Sequence, residues 1–431
     1  MATANASSSN AVQAGSTNYG SALAIVTTLF FMWGFLTCLN DILVPHLKPI
    51  FDLNYAQVML IQFAFFSAYF FFSIPAGKVI DWIGYKRTMV VGLVTMGIGA
   101  LLFIPAASAP SFPLFLTALM VLATGITGLQ VAANPYVVVL GSPRTASSRL
   151  NLTQAFNSLG TTIAPYFGSL FILSGAALTL DEVRRLPPDA LQAYRMHEAA
   201  SVKLPYLGIG LALFALATLI GSVKLPPMST AEHHGAESGG VQPSIWKYRH
   251  LVLGAVAIFV YVGAEVSIGS FLVNYFTQPN IGGLTAKAAA QLVSFYWGGA
   301  MVGRFIGSAI LRKVRTGVVL GIAAIFSCAL VVASMLSAGH VAMVTILLVG
   351  LFNSVMFPSI FTLGIAELGP LTGDASGLLN TAIVGGAIIP VLEGALADRI
   401  GLHHAFILPA LCYLYILFYA LKGSKPTVAA A

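Results

Sequence analysis

The chain has 431 residues, 58% of them hydrophobic and only 8% charged, with a formal net charge of +7 and a mean hydropathy of +0.88. Soluble domains carry about 25% charged residues, so a soluble globular fold is excluded and a polytopic membrane protein is indicated. The basic excess does not call for nucleic acid, because Lys and Arg collect in the cytoplasmic loops of membrane proteins.

From the N-terminus, the polar leader 1–20 contains no Lys or Arg and therefore lacks the charged start of a cleaved signal. It reads as a disordered cytoplasmic tail. A helix of about 20 apolar residues crosses the hydrocarbon of a bilayer. Stretches of that kind fall near 21–44, 57–80, 88–106, 112–140, 150–174 and 204–223, and again near 250–277, 287–311, 317–337, 341–366, 376–397 and 403–421. The expected fold is an all-α membrane protein of twelve transmembrane helices in two pseudo-symmetric six-helix bundles, residues 21–223 and 250–421. A Gly-, Ser-, Pro- and His-rich cytoplasmic linker, 224–249, joins them, and 422–431 forms a second cytoplasmic tail. Pro135, Pro165, Pro358 and Pro390 fall within spans and are expected to kink them. The three cysteines, Cys38, Cys328 and Cys412, lie in apolar segments, which indicates neither a disulfide framework nor a zinc site.

Orientation follows from basic residues. With the N-terminus inside, Lys78, Lys86, Arg87, Arg144, Arg149, Lys224, Lys247, Arg249, Arg312, Lys313, Arg315, Lys422 and Lys425 are cytoplasmic. The outer set is smaller: Lys48, Arg184, Arg185, Arg195, Lys203, Lys287 and Arg399, with Arg304 left inside a span. Both termini are therefore expected in the cytoplasm. The outer loop 175–203 mixes charges of both signs and is expected to hold a short surface helix.

The first span ends in Asn40 and Asp41. A carboxylate in a membrane is costly and usually functional, so a transport site is expected there. After the second span comes Gly77-Lys-Val-Ile-Asp81-Trp-Ile-Gly84-Tyr-Lys86-Arg87. Its glycines permit close packing and a tight turn, and Asp81 suits a helix N-terminus or a cation. This run resembles the signature of the major facilitator superfamily, and Gly77, Asp81, Gly84, Lys86 and Arg87 then form its gating motif. Gly303-Arg304 with Gly307, and Gly394 to Gly401 around Asp398, are weaker echoes of the kind internal repeats produce.

Three further runs narrow the resemblance: Asn40-Asp41-Ile-Leu-Val-Pro45; Ala132-Ala-Asn134-Pro135; and Arg149-Leu-Asn-Leu-Thr-Gln154-Ala-Phe156-Asn157-Ser158-Leu-Gly160. With Tyr261-Val-Gly-Ala264 and Phe357-Pro-Ser-Ile-Phe-Thr-Leu-Gly-Ile365, they resemble the fucose–galactose–proton symporter family over nearly the whole chain. The resemblance implies that Asp41 is the protonatable aspartate and Asn157 a polar residue of the central cavity. Gln130 stands where fucose permease has a functional glutamate, and Glu265 where it has a glutamine. That exchange implies a sugar selectivity different from that of fucose permease.

The residues themselves point to the same cavity. At 100° per residue Asn151, Gln154, Asn157, Ser158 and Thr161 share one helix face. Gln130 and Asn134, four residues apart, are neighbours on another helix. Gln62, Asn353 and Asn380 add amides in further spans, and Trp297 offers an indole face to a pyranose ring; Trp33 is a weaker case. Amides and hydroxyls supply the paired donors and acceptors a neutral polyol needs. Asn40, Gln62, Gln130, Asn134, Gln154, Asn157, Glu265, Trp297, Asn353 and Asn380 are thus the expected substrate contacts.

Of fourteen acidic residues only Asp41, Glu265 and Glu393 fall clearly within spans. They are the expected proton-coupling groups, since a carboxyl in a poorly hydrated passage can gain a proton on one side and lose it on the other. The expectation is a monomeric symporter of the bacterial inner membrane, importing glucose or galactose, with fucose and an N-acetylhexosamine as alternatives. It needs no cofactor beyond the proton gradient and no partner beyond sugar and lipid bilayer. Sodium coupling would instead gather oxygen ligands around Asp41 or Glu265. A drug or weak-acid exporter would have a greasier cavity, and an enzyme would need a nucleophile–base pair or metal cluster in the spans.

Overall fold

Apolar stretches of this length have one outcome in lipid. With no water to bond the backbone, each closes its hydrogen bonds internally as a helix. A computed structural model of the chain is predominantly helical, with no strand among the described residues. The structure describes residues 19–51, 55–171, 183, 185–226 and 244–426, apart from the side chains of 19, 40–46, 48, 49, 55–59, 62, 165, 166, 168–171, 286, 287 and 290. The expectations placed on the leader, most of the linker and the end of the C-terminal tail lie outside the described residues.

The chain runs through α1 (Tyr19–Phe51), α2 (Tyr55–Ser108), α3 (Phe112–Val139), α4 (Ala146–Phe171), α5 (Pro188–Ala200) and α6 (Lys203–Ser222). It continues through α7 (Arg249–Phe276), α8 (Ala286–Ile310), α9 (Thr316–Met335), α10 (Gly339–Asn353) and α11 (Met356–Gly364). The last elements are α12 (Thr372–Thr381), α13 (Gly385–Ile400), α14 (Leu402–Ala405) and α15 (Ile407–Phe418). Among the described residues nine helical stretches are long and apolar enough to cross a membrane, against the twelve expected from the sequence. The counts differ at three places. Phe63–Ser108 counts once, although it is 46 residues long and breaks at Gly84, whose φ of 78° and ψ of 165° belong to a region essentially confined to glycine. α4 and α8, of 26 and 25 residues, are not among the nine. In α4 the reason is composition, since Asn151, Thr153, Gln154, Asn157 and Ser158 dilute its apolar residues.

Proline acts unevenly. Pro135 and Pro390 lie inside α3 and α13, which continue through them. Pro358 sits in the first turn of α11, and the helical run 339–364 breaks at Ser354 and Val355. A proline ring clashes with the carbonyl four residues earlier, which here belongs to Ser354. Arg149 ties α4 to the end of α3 by donating to the carbonyls of Val137 (3.2 Å) and Val138 (2.7 Å), the last carbonyls of a helix being without helical partners, and to the Ser142 carbonyl of the turn that follows (2.8 Å). α5 is the short helix of the loop 175–203, and most of its residues are exposed.

α1 packs along α4, and α2 along α3 and α6; in the second part α8 and α9 flank α10, and α7 lies between α13 and α15. Two seams join the parts. α4 lies against α8, and α12 lies against α2 and α3. Large apolar side chains such as Phe63, Phe71, Leu211, Phe326 and Val391 remain exposed, far more than a soluble monomer carries, and form a surface suited to lipid.

Candidate functional site

Both seams are sewn with small and polar groups at the end that bears the Gly77–Arg87 turn. On the α4–α8 seam the Ser147 and Thr316 hydroxyls meet at 2.8 Å, and Ser148 donates to the Ser308 carbonyl at 2.6 Å. Ser308 returns a bond to the Ser148 carbonyl at 3.0 Å, and Asn151 Nδ2 donates to the Arg304 carbonyl at 2.6 Å. On the other seam Lys78 Nζ lies 3.7 Å from Asp374, and Ser376 donates to the Val131 carbonyl at 2.8 Å. Gly77 faces Gly373 backbone to backbone, so closely that a side chain on Gly77 would collide with the other element. Asp81 Oδ1 lies beside Gly373. Lys86 donates to the Gly221 carbonyl of α6 at 2.8 Å, and Arg87 lines an exposed groove beside it. Gly77 and Asp81 of the expected gating motif thus meet the opposite part of the chain, whereas Lys86 and Arg87 contact their own.

Between the seams lies a cavity of about 140 Å³. One wall carries Trp33 of α1, Tyr69 of α2, Gln130 of α3 and Gln154 of α4; the other carries Tyr261, Val262 and Glu265 of α7, Arg304 of α8, Phe357 of α11 and Ile383. Drug-sized pockets run to roughly 300–1,000 Å³, so this space suits one compact molecule. Gln130 Nε2 donates to the Tyr69 hydroxyl at 2.6 Å, leaving its carbonyl oxygen to accept. Trp33 is buried, and its ring centroid lies 4.2 Å from that of Phe30. Opposite, Arg304 Nη1 donates to Ser158 Oγ and stands within electrostatic reach of Glu265, whose Oε1 has no hydrogen-bond partner among the described residues.

Behind Glu265 a buried polar cluster extends into the second part of the chain. Tyr296 Oη donates to the Glu265 carbonyl at 3.2 Å, Asn353 Nδ2 donates to Tyr296 Oη at 2.9 Å, and Tyr261 Oη donates to the Asn353 carbonyl at 3.2 Å. Tyr413 lies among these groups, next to both Glu265 and Glu393. Glu393 is fully buried beside Ser267, Cys412 and Tyr413, and neither of its carboxylate oxygens forms a hydrogen bond of good geometry among the described residues.

Of the expected contacts, Gln130, Gln154 and Glu265 come together on the cavity wall. Asn353 sits one layer behind it. Asn157 Nδ2 donates to the Phe30 carbonyl at 3.0 Å and bridges α4 to α1. Asn380 donates back to the Ser376 carbonyl of its own helix at 2.9 Å, and Asn134 is fully buried with neither amide atom bonded among the described residues. Trp297 is 43% exposed, packs edge-on against Tyr296 and does not line the cavity. The side chains of Asn40, Asp41 and Gln62 lie outside the described residues. The sequence left Trp33 a weaker contact and placed Arg304 only in an echo of the gating motif, not in the cavity. The signal for Arg304 was present, since a guanidinium in an apolar span is costly. No three His, Cys, Asp or Glu side chains gather to ligate a metal among the described residues.

The sequence model of the major facilitator superfamily matches residues 22–389. The chain belongs to this superfamily. A glucose/galactose transporter of Brucella abortus is 55% identical over 408 residues, 95% of each chain. The L-fucose-proton symporter of Escherichia coli is 36% identical over 402 residues, 92% of each. The crystal structure of a major facilitator superfamily transporter, FucP, in the outward conformation matches with a TM-score of 0.86 at 35% identity, covering 93% of this chain and 98% of that one. The chain is thus a multi-pass membrane protein with the major facilitator fold, in the branch of the fucose–galactose–proton symporters.

Proposed function

We propose that the protein is a proton-coupled symporter that imports a neutral monosaccharide, glucose or galactose first, across the bacterial inner membrane with both termini in the cytoplasm. The observation that carries the reading is the cavity between the seams. Gln130 and Gln154 present amide donors and acceptors from one wall, Trp33 presents an apolar ring, and Glu265 and Arg304 present a carboxyl and a guanidinium from the other. Such a set suits a neutral ring of hydroxyls, because each hydroxyl both donates and accepts. It is poorly suited to a greasy drug. The relatives named above transport glucose, galactose or L-fucose, which supports the class of cargo.

In this reading the chain spans the membrane twelve times as two six-helix halves, 21–223 and 250–421, that rock about the sugar and act as a monomer. The sewn end is the cytoplasmic gate, and Gly77, Asp81 and Lys78 hold it through Gly373 and Asp374. Asp41 takes the proton from outside, and Glu265 and Glu393 are acids of the second half that share the coupling. Proteoliposomes containing the protein and offered a panel of sugars under imposed pH or sodium gradients test the reading. Acid-outside gradients should drive uphill glucose or galactose uptake, and Asp41→Asn should abolish it while leaving sugar exchange measurable. Uptake driven by sodium without a pH step, or uphill accumulation by Asp41→Asn, overturns proton coupling through that residue.

A further inference from the structure

Arg304 connects the cavity to the α4–α8 seam. Its carbonyl accepts from Asn151 and its guanidinium donates to Ser158, so backbone and side chain both tie α8 to α4. The same guanidinium lines the cavity with Glu265 of α7 and stands within its electrostatic reach. Arg304 Nε and Glu265 Oε1 each lack a hydrogen-bond partner among the described residues. One cation therefore has two candidate acceptors, a hydroxyl across the seam and a carboxyl on its own side, and the cavity opens onto Arg304 and Glu265 themselves. The other titratable groups around Glu265 are Tyr261 of α7, Tyr296 of α8 and Tyr413 of α15, with Glu393 of α13 beyond Tyr413. Arg304 supplies the positive charge of the set.

We infer that Arg304 is a load-sensing latch: it holds Ser158 while Glu265 carries a proton and the cavity is empty, and it leaves Ser158 when Glu265 is ionised or a sugar hydroxyl competes for it. The inference deepens the symport reading and rests on it. A neutral carboxylic acid offers the guanidinium no countercharge, so Arg304 stays on Ser158 and the seam stays shut. A carboxylate draws it away, because a charge-assisted pair outweighs a bond to a neutral hydroxyl. A polyol between Gln154 and Arg304 offers oxygens that replace Ser158. The latch thereby blocks a proton leak. A proton alone does not unlock the carrier, whereas proton with sugar does, and the empty, deprotonated carrier is free to return. Gln130 on the facing wall is an amide bonded to Tyr69, which leaves Glu265 as the acid that reports proton load to this seam.

The test uses proteoliposomes of the full-length protein loaded with a pH-sensitive dye, with a pH gradient imposed in the absence of sugar. Wild type should hold the gradient. Ser158→Ala and Arg304→Gln should dissipate it about tenfold faster or more, the fold-change of losing a hydrogen bond to a charged group. Ser158→Thr keeps the hydroxyl and should hold the gradient as wild type does. Thermal melts in detergent establish that each variant is folded. A folded Ser158→Ala or Arg304→Gln that leaks no faster than wild type overturns the latch. Wild-type glucose uptake without any proton movement overturns the symport reading instead, so the two failures are distinct.

Discussion

Replacing Gly77 by alanine asks which force closes the α2–α12 seam. An alanine Cβ would lie 2.8 Å from the Gly373 carbonyl oxygen and 3.4 Å from Asp374 Cα, backbone atoms that cannot rotate aside. Overpacking of this kind costs about 1–3 kcal/mol, and at 1.4 kcal/mol per tenfold the closed-to-open ratio falls about 5–150-fold. The Lys78–Asp374 pair crosses the same seam at 3.7 Å, but its side chains are 60% and 25% exposed. Exposed pairs deliver only about 0.2–1 kcal/mol after ordering and screening, so Lys78→Gln should lower the ratio by about 1.4–5-fold. Packing is therefore expected to dominate charge. Spin labels at the exposed Trp82 and Val314, one on each part of the chain, would report the opening by double electron–electron resonance in a background free of the native cysteines. Gly77→Ala should shift the population to long distances, and Lys78→Gln should shift it slightly. If Lys78→Gln opens the end as far as Gly77→Ala does, or if Gly77→Ala leaves the distances unchanged, close backbone contact is not what holds it shut.

Gln130→Ala removes one cavity amide and its 2.6 Å bond to Tyr69; glucose affinity by isothermal calorimetry should fall about 2–12-fold, the equivalent of one neutral hydrogen bond, and an unchanged Kd would remove Gln130 from the site. Gly84→Ala should cost about 1–3 kcal/mol through backbone strain alone, since open space surrounds its Cβ position. Its Tm should drop while Gly128→Ala, equally roomy and at an ordinary φ, melts as wild type; equal melts for both would refute the strain.

Most of the helices were legible because hydropathy and length decide a membrane span, α4 and α8 being the two that fall short on that measure. The Gly84 break was legible too, from the glycine of the turn motif. Which polar side chain reaches the cavity was less so. Asn151, Gln154 and Asn157 share a face of α4, yet only Gln154 lines the cavity, because the other two spend their amides on the backbones of α8 and α1. Periodicity gives the direction of a side chain and not the identity of the atoms waiting there. Trp33 and Trp297 both sit within spans, and only the rotation of each helix in the assembled bundle puts the first on the cavity and the second on the outside. The charge balance of the site was hidden for a similar reason. Glu265 and Arg304 lie on different helices, so no spacing rule pairs them.

The serine and threonine rungs between α4 and α8 have an implication for energetics. Hydroxyls bond water as readily as they bond each other, so parting them trades one set of partners for another instead of exposing grease. Opening and resealing then sit close to isoenergetic, and a difference in pH of ordinary cellular size is enough to bias which way the machine turns.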